Sequence, residues 1–140
     1  MRRKLVTVLS ALLLALPAAV FFGAPAQAAA KEPPAGCRYF HTVNPYYGDT
    51  CYEWDGDDQW VYDGVGDGWS ARVEIETLYG KVRWCANTET AGHWVECTFD
   101  HEEGSCVHFR MYEQDGGDNG PTRYWTDWTP WISTSTGADC

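Results

Sequence analysis

Apolar and polar side chains alternate most regularly in residues 69–77, which read Trp-Ser-Ala-Arg-Val-Glu-Ile-Glu-Thr. Successive side chains of a strand point to opposite faces, so the apolar set lies on one face and the charged set on the other. The apolar set is Trp69, Ala71, Val73 and Ile75. The pattern predicts a central strand with one buried and one solvated face. Turn-forming residues at 63–68 and 79–81 bound it on either side.

Shorter segments of the same kind predict the remaining strands, and no segment of the domain has helical periodicity. These segments are residues 37–43, 52–54, 59–62, 81–85, 93–99, 106–112 and 123–129. Gly48 and Asp49 are expected to form a turn, and Pro130 is expected to end the last strand. Short strands separated by a turn about every ten residues are typical of an all-β sandwich. We therefore predict a small disulfide-stabilised antiparallel β-sandwich of about seven strands, with a small β-barrel as the alternative.

The N-terminal region has the layout of a secretory signal peptide. A basic start, residues 2–4, is followed by an apolar run and then by the small residues Ala26 and Ala28. We predict a signal peptide over residues 1–28, a short extended lead-in over 29–36 and a single β domain over 37–140. The protein is therefore expected to be secreted and extracellular, with no membrane association after cleavage.

The charge of the mature chain limits its partners. Residues 29–140 carry 7 basic against 20 acidic side chains, a net charge of −13. Such a field repels nucleic acids and anionic membrane surfaces, so neither is expected as a partner.

All six cysteines lie beyond residue 28, which predicts three disulfides in a small exported domain. They are Cys37, Cys51, Cys85, Cys97, Cys106 and Cys140. Six cysteines allow 15 connectivities. Only the pair Cys37–Cys51 is favoured by its spacing, because it would close a local hairpin.

Three short motifs, DGWSARVE at 67–74, FRMYEQDGG at 109–117 and WTDW at 125–128, resemble those of small secreted β proteins of actinobacteria. The resemblance implies export, a β fold and a disulfide near the positions of Tyr112 and Trp125. Both positions are aromatic here, so we expect ring packing of Tyr112 against Trp125 in place of that bridge. The resemblance implies no catalytic residues.

Metal binding is not favoured by the sequence. The glycine-rich loops offer weak calcium candidates, namely Asp63, Asp67, Asp115 and Asp118. Each loop is more simply a turn, since Gly, Asp and Asn tolerate the backbone angles of turns. A zinc set of His93, Cys97, His101, Cys106 and His108 would take two cysteines from the disulfides. We expect no cofactor.

No catalytic motif is present, neither a Gly-x-Ser-x-Gly elbow nor a phosphate-binding loop. We therefore expect a non-enzymatic protein. A small hydrolase that uses paired carboxylates is kept as an alternative.

Aromatic residues are the most informative feature, with eight Trp and eight Tyr in the chain. On a strand, Trp125 and Trp131 share one face and Trp128 lies on the other, so at least one of them is expected at the surface. With Tyr124 they form the predicted binding segment, because exposed rings stack on sugars or anchor protein interfaces. The expected partner is an extracellular carbohydrate or protein, and an inhibitor of an exported enzyme is one version of this function.

Overall fold

The chain folds into two antiparallel sheets, as a computed structural model that describes residues 31–41 and 47–140 shows. The predicted signal peptide lies outside the described residues. The strands are β1 (Arg38–His41), β2 (Gly48–Glu53), β3 (Asp58–Asp63), β4 (Trp69–Thr77), β5 (Val82–Ala86), β6 (Trp94–Cys97), β7 (Cys106–Asp115), β8 (Thr122–Arg123) and β9 (Ile132–Ser133).

One sheet has the order β1-β2-β3-β6, and the other has the order β5-β4-β7-β8 with β9 also paired to β7. This confirms the antiparallel β-sandwich. The strand number exceeds the predicted one because β8 and β9 are short pieces of two residues each.

The central strand β4 has the predicted bounds and the predicted inner face. Ala71, Val73 and Ile75 are at most 2% exposed, whereas Trp69 at the start of the strand is half-buried. β4 pairs with β5 on one side and with β7 on the other. Its inner face therefore forms the floor of the main core.

The two sheets meet through large apolar side chains. The Phe109 ring on β7 lies 6.2 Å from the Tyr52 ring on β2 and 6.0 Å from the Phe40 ring on β1, measured between centroids. Edge-on and tilted ring contacts of this kind add to the stabilisation from buried apolar area. The core thus lies between the sheets, and the outer face of each sheet is left for solvent or partners.

The three disulfides pair Cys37 with Cys51, Cys85 with Cys97, and Cys106 with Cys140. The pair favoured by spacing is confirmed. The second bridge joins β5 to β6, which belong to different sheets. Three bridges in a domain of this size are consistent with an oxidising environment.

The predicted turn at Gly48 is wrong, because Gly48 begins β2 and pairs with Asp63. A Cβ at position 48 would lie 2.6 Å from the Tyr62 carbonyl oxygen, so glycine is required here for close packing within the sheet and not for a turn.

The predicted strand at 123–129 is also wrong. Only Thr122 and Arg123 form a strand there, and Ile132 and Ser133 of the serine- and threonine-rich tail form one that was not predicted. The cause is the unusual way in which the intervening residues pair with β7.

Candidate functional site

On the outer face of the five-stranded sheet, two acidic side chains of β4 pair with basic side chains of β7. In the antiparallel register of β4 and β7, Glu74 lies directly opposite Arg110, and Glu76 lies directly opposite His108. Arg110 Nη2 lies 2.7 Å from a Glu74 carboxylate oxygen, and His108 Nε2 lies 3.1 Å from one of Glu76. Each acidic side chain of β4 on this face thus has a partner on β7 at its own level.

Residues 122–133 run along the far edge of β7, and two threonines fix them there. The backbone N–H of Thr126 donates to the Met111 carbonyl, and that of Thr129 donates to the Phe109 carbonyl, both at 2.9 Å. The threonine hydroxyls accept the N–H groups of the same two partners, at 2.9 and 3.1 Å. The N–H and C=O groups at this edge of β7 would otherwise lack partners. The main chain and the hydroxyls of the two threonines supply their hydrogen bonds.

The pairing has a period of three residues in this segment. Between the pairs Gln114–Thr122 and Cys106–Ser133, the chain advances eight residues on β7 and eleven on the partner segment. Residues three apart consequently take equivalent positions. The expectation that Trp128 lies on the opposite face from Trp125 and Trp131 is therefore wrong. All three tryptophans lie on the same side.

These tryptophans interleave with β7 side chains to form what we call the aromatic ladder. Its order is Tyr112, Trp125, Arg110, Trp128, His108 and Trp131. Tyr112 stacks on Trp125 with centroids 4.0 Å apart and planes at 10°, which confirms the ring packing expected there. The Arg110 guanidinium carbon lies 4.3 Å from the Trp125 centroid and 4.5 Å from that of Trp128.

The lower half of the ladder is built on the His108 ring. It lies 4.2 Å from the Trp128 ring and 3.8 Å from the Trp131 ring, with planes at 15° and 10°. Trp125 thus contacts Tyr112 and Arg110, and Trp128 contacts Arg110 and His108, so each of these rings is engaged twice within the protein.

The structure shows where the four predicted binding residues lie. Trp125 is 43% exposed, as the sequence led us to expect of at least one tryptophan, and it is stacked on Tyr112. Tyr124 does not join the ladder. It is 54% exposed, has φ of 56° and stacks on Tyr47 at 4.7 Å. The predicted set of four is thus divided between two places.

Trp84 on β5 lacks the ring and cation contacts that the tryptophans of the ladder make. It is 58% exposed, and within the described part of the chain no ring or cation stacks on it. It lies opposite Glu74, so Trp84, Glu74 and Arg110 form one row across the outer face. Val82 and Leu78 on the same hairpin are also exposed. Alternation with Cys85, which is buried in a disulfide, was the sequence signal that placed Trp84 outside.

The calcium candidates Asp63 and Asp67 hold their own loop. The two oxygens of Asp63 accept the backbone N–H groups of Val65 and Ala71, at 3.0 and 3.4 Å. Burial raises the pKa of this carboxyl, and those two hydrogen bonds oppose the rise. Asp67 binds Arg123 through one oxygen and a backbone N–H through the other.

The second candidate pair is likewise not arranged around a common point. Asp118 binds Arg72 at 2.9 Å, and Asp115 is an exposed residue at the end of β7. Among residues 31–41 and 47–140, no three His, Cys, Asp or Glu side chains are grouped so that they could hold a metal ion. The zinc set loses Cys97 and Cys106 to disulfides.

Acidic side chains line a cavity of about 430 Å³ between three loops at one end of the sandwich. They are Asp55, Asp57, Asp100 and Glu103, with Trp54 and Phe99 beside them. Asp57 already accepts the Tyr52 hydroxyl at 3.1 Å and the backbone N–H of His101 at 2.9 Å. No pattern in the sequence indicated this cavity, because its residues come from segments far apart in the chain.

His101 is buried beside this cavity. It is 3% exposed, its Nδ1 lies 3.2 Å from the Tyr79 hydroxyl oxygen, and its Nε2 has no partner among the described residues. Burial lowers the pKa of His101 below its usual 6.5, although nearby Asp57 acts in the opposite direction. The buried imidazole is therefore held in its neutral form.

This predicts a loss of stability as the pH falls through about 6.5. Below that pH the unfolded chain binds a proton at His101 that the folded protein takes up only at lower pH, so protonation favours unfolding. We expect the free energy of unfolding, measured with urea from pH 7.5 to 5, to fall less steeply for His101→Asn than for wild type. Exposed His93 provides the control His93→Asn, which should keep the wild-type slope. Equal slopes for all three proteins would contradict the assignment.

Comparisons with protein-family models, with curated proteins and with solved structures found no match. The resemblance to secreted actinobacterial proteins therefore stays a prediction. In the part of the chain that the structure covers, no helix is long and apolar enough to cross a membrane.

Proposed function

We propose that this protein is a secreted, non-enzymatic domain that binds an extracellular partner through the outer face of its five-stranded sheet. The observation that carries the proposal is Trp84, which is 58% exposed and has no ring or cation stacked on it among the described residues. A large aromatic side chain held open on a strand is the kind of residue that dominates binding energy at interfaces.

The surroundings of Trp84 suit a binding surface. On the same outer face, across β4 from Trp84, the ladder fixes three tryptophans and one arginine, so these side chains lose little freedom when a partner binds. Arg110 compensates the charge of Glu74, and Glu76 lies 3.1 Å from His108 Nε2, so both acids of this face already have partners on β7. The predicted signal peptide and the three disulfides support a role outside the cytosol.

An exposed indole such as that of Trp84 suits either a sugar ring or an apolar side chain of a protein. An inhibitor of an exported enzyme would be a case of the second. The carboxylate hydrolase finds less support, because Asp57, the buried acid of the acidic cavity, has both oxygens engaged.

The test compares wild type with Trp84→Ala as immobilised baits, exposed to culture-medium proteins of the producing cells and to a panel of soluble glycans. We expect the variant to bind the retained partner more than about tenfold more weakly, as for a central aromatic anchor. Tyr124→Ala removes a similarly exposed aromatic residue from the binding segment that the sequence predicted, and this variant should bind as wild type does. Loss with Tyr124→Ala and retention with Trp84→Ala would move the site away from the outer face.

A further inference from the structure

Strand β5 is an open edge of the five-stranded sheet, since among the described residues β4 is the single strand that pairs with it. The bonds from Thr77 N–H to the Lys81 carbonyl and from Asn87 N–H to the Ala71 carbonyl, both 2.9 Å, show that residues 81 and 87 point to β4. Backbone groups alternate in direction along an antiparallel strand. The N–H and C=O groups of residues 82, 84 and 86 therefore point away from β4, and no backbone hydrogen bond reaches them from the described residues.

The same edge carries the basic side chains without ion pairs. Residues 29–140 contain seven Lys and Arg, and five of them bind carboxylates, namely Lys31, Arg38, Arg72, Arg110 and Arg123. Lys81 and Arg83 have no carboxylate within ion-pair distance in the described chain, in a protein with 20 acidic residues. Asp100 and Glu102 line a cavity together with Lys81, but neither pairs with it.

The apolar side chains of the edge alternate with this basic pair. Val82 and Trp84 are exposed on the outer face, and Lys81 and Arg83 have the opposite parity. One stretch of four residues thus offers free backbone groups, two exposed apolar side chains and two cations without a carboxylate partner, of which Lys81 lies 5.5 Å from the centroid of the Tyr79 ring. An exposed, unpaired strand edge is a template for strand addition.

We propose that the β5 edge binds an extended acidic polypeptide segment of the partner as an added strand. This inference rests on the proposed function and names the class of partner. The backbone of the segment would bond to residues 82, 84 and 86, which supplies affinity, and its alternate side chains would supply specificity. Its carboxylates lie beside Lys81 and Arg83, and its apolar side chains pack on Val82 and Trp84. A second copy of this chain is disfavoured because its own β5 edge carries the same two cations, Lys81 and Arg83, and like charges on neighbouring strands are destabilising.

The test uses a fluorescently labelled octapeptide of alternating glutamate and valine, with fluorescence anisotropy as the readout. We expect wild type to bind it and to bind the lysine–valine counterpart at least tenfold more weakly. K81E/R83E should reverse this preference. The matched control K31E/R38E changes the net charge by the same amount at the other sheet and should keep the wild-type preference. No binding of the glutamate–valine peptide, or an unchanged preference in K81E/R83E, would overturn the proposal.

A peptide methylated on alternate backbone nitrogens separates strand addition from attraction of charges alone. We expect methylation on the edge-facing nitrogens to reduce binding about tenfold or more, and methylation on the opposite nitrogens to leave it unchanged. Equal binding of both peptides would overturn strand addition. If the partner is lost with Trp84→Ala while the peptide does not bind wild type, this inference fails and the proposed function stands. If neither effect is seen, both fail.

Discussion

Replacing Cys85 and Cys97 together by alanine is expected to lower the free energy of unfolding by about 2–5 kcal/mol, as loss of a native disulfide does in small secreted domains. Cys85 is 1% exposed and belongs to the main core, and Cys97 packs against that core from the other sheet. The change removes both a constraint on the unfolded chain and a buried contact between the sheets. Urea unfolding of the oxidised proteins measures the loss.

The double variant of Cys37 and Cys51 is the matched control. The two bridges span 14 and 12 residues, so their effects on the entropy of the unfolded chain are nearly equal. Cys37 and Cys51 lie in a smaller cluster with Trp60, within one sheet. We therefore expect the inter-sheet pair to cost more. An equal or smaller loss would show that contact between the sheets adds nothing to the cross-link.

Trp128→Ala is expected to destabilise the protein by about 2–4 kcal/mol, towards the range for large aromatic truncations in cores. The substitution removes ring contacts with Arg110 and His108. It also breaks the ladder at its middle, which leaves both halves without a neighbour. Thermal and urea unfolding, followed by circular dichroism, measure the effect.

Trp84→Ala makes the same chemical change where no stacking partner is present, so it serves as the control. We expect it to change stability by no more than about 0.5 kcal/mol. Similar losses for both variants would mean that the stacking contacts of the ladder contribute little. The pair also supports the binding experiment, since a stable Trp84→Ala protein reports on binding without a folding defect.

The sequence was sufficient for those parts of the fold in which alternation and burial coincide. β4 shows this, because Ala71, Val73 and Ile75 are buried in the core while Glu74 and Glu76 between and after them are more exposed. The contact of Tyr112 with Trp125 and the bridge from Cys37 to Cys51 were likewise predictable, from resemblance and from spacing.

Prediction failed where side chains replace backbone partners. Thr126 and Thr129 use their hydroxyls as well as their main chain to bind β7, which changes the period from two to three. A rule based on strand parity cannot detect that change. Trp84 was a different kind of omission, since its alternation with Cys85 contained the information. The high tryptophan content of residues 125–131 favoured a binding segment there, but these rings stack on side chains of β7.

The ladder has a consequence for how the five-stranded sheet can grow. On the β7 side, the edge of the sheet is covered by a segment that contains Pro121 and Pro130. Such a segment does not present the regular row of backbone N–H and C=O groups that another strand would need for pairing. Another chain can therefore add a strand to this sheet only at β5. Because the opposite edge does not accept a strand, successive copies cannot stack through both edges of this sheet into a fibril.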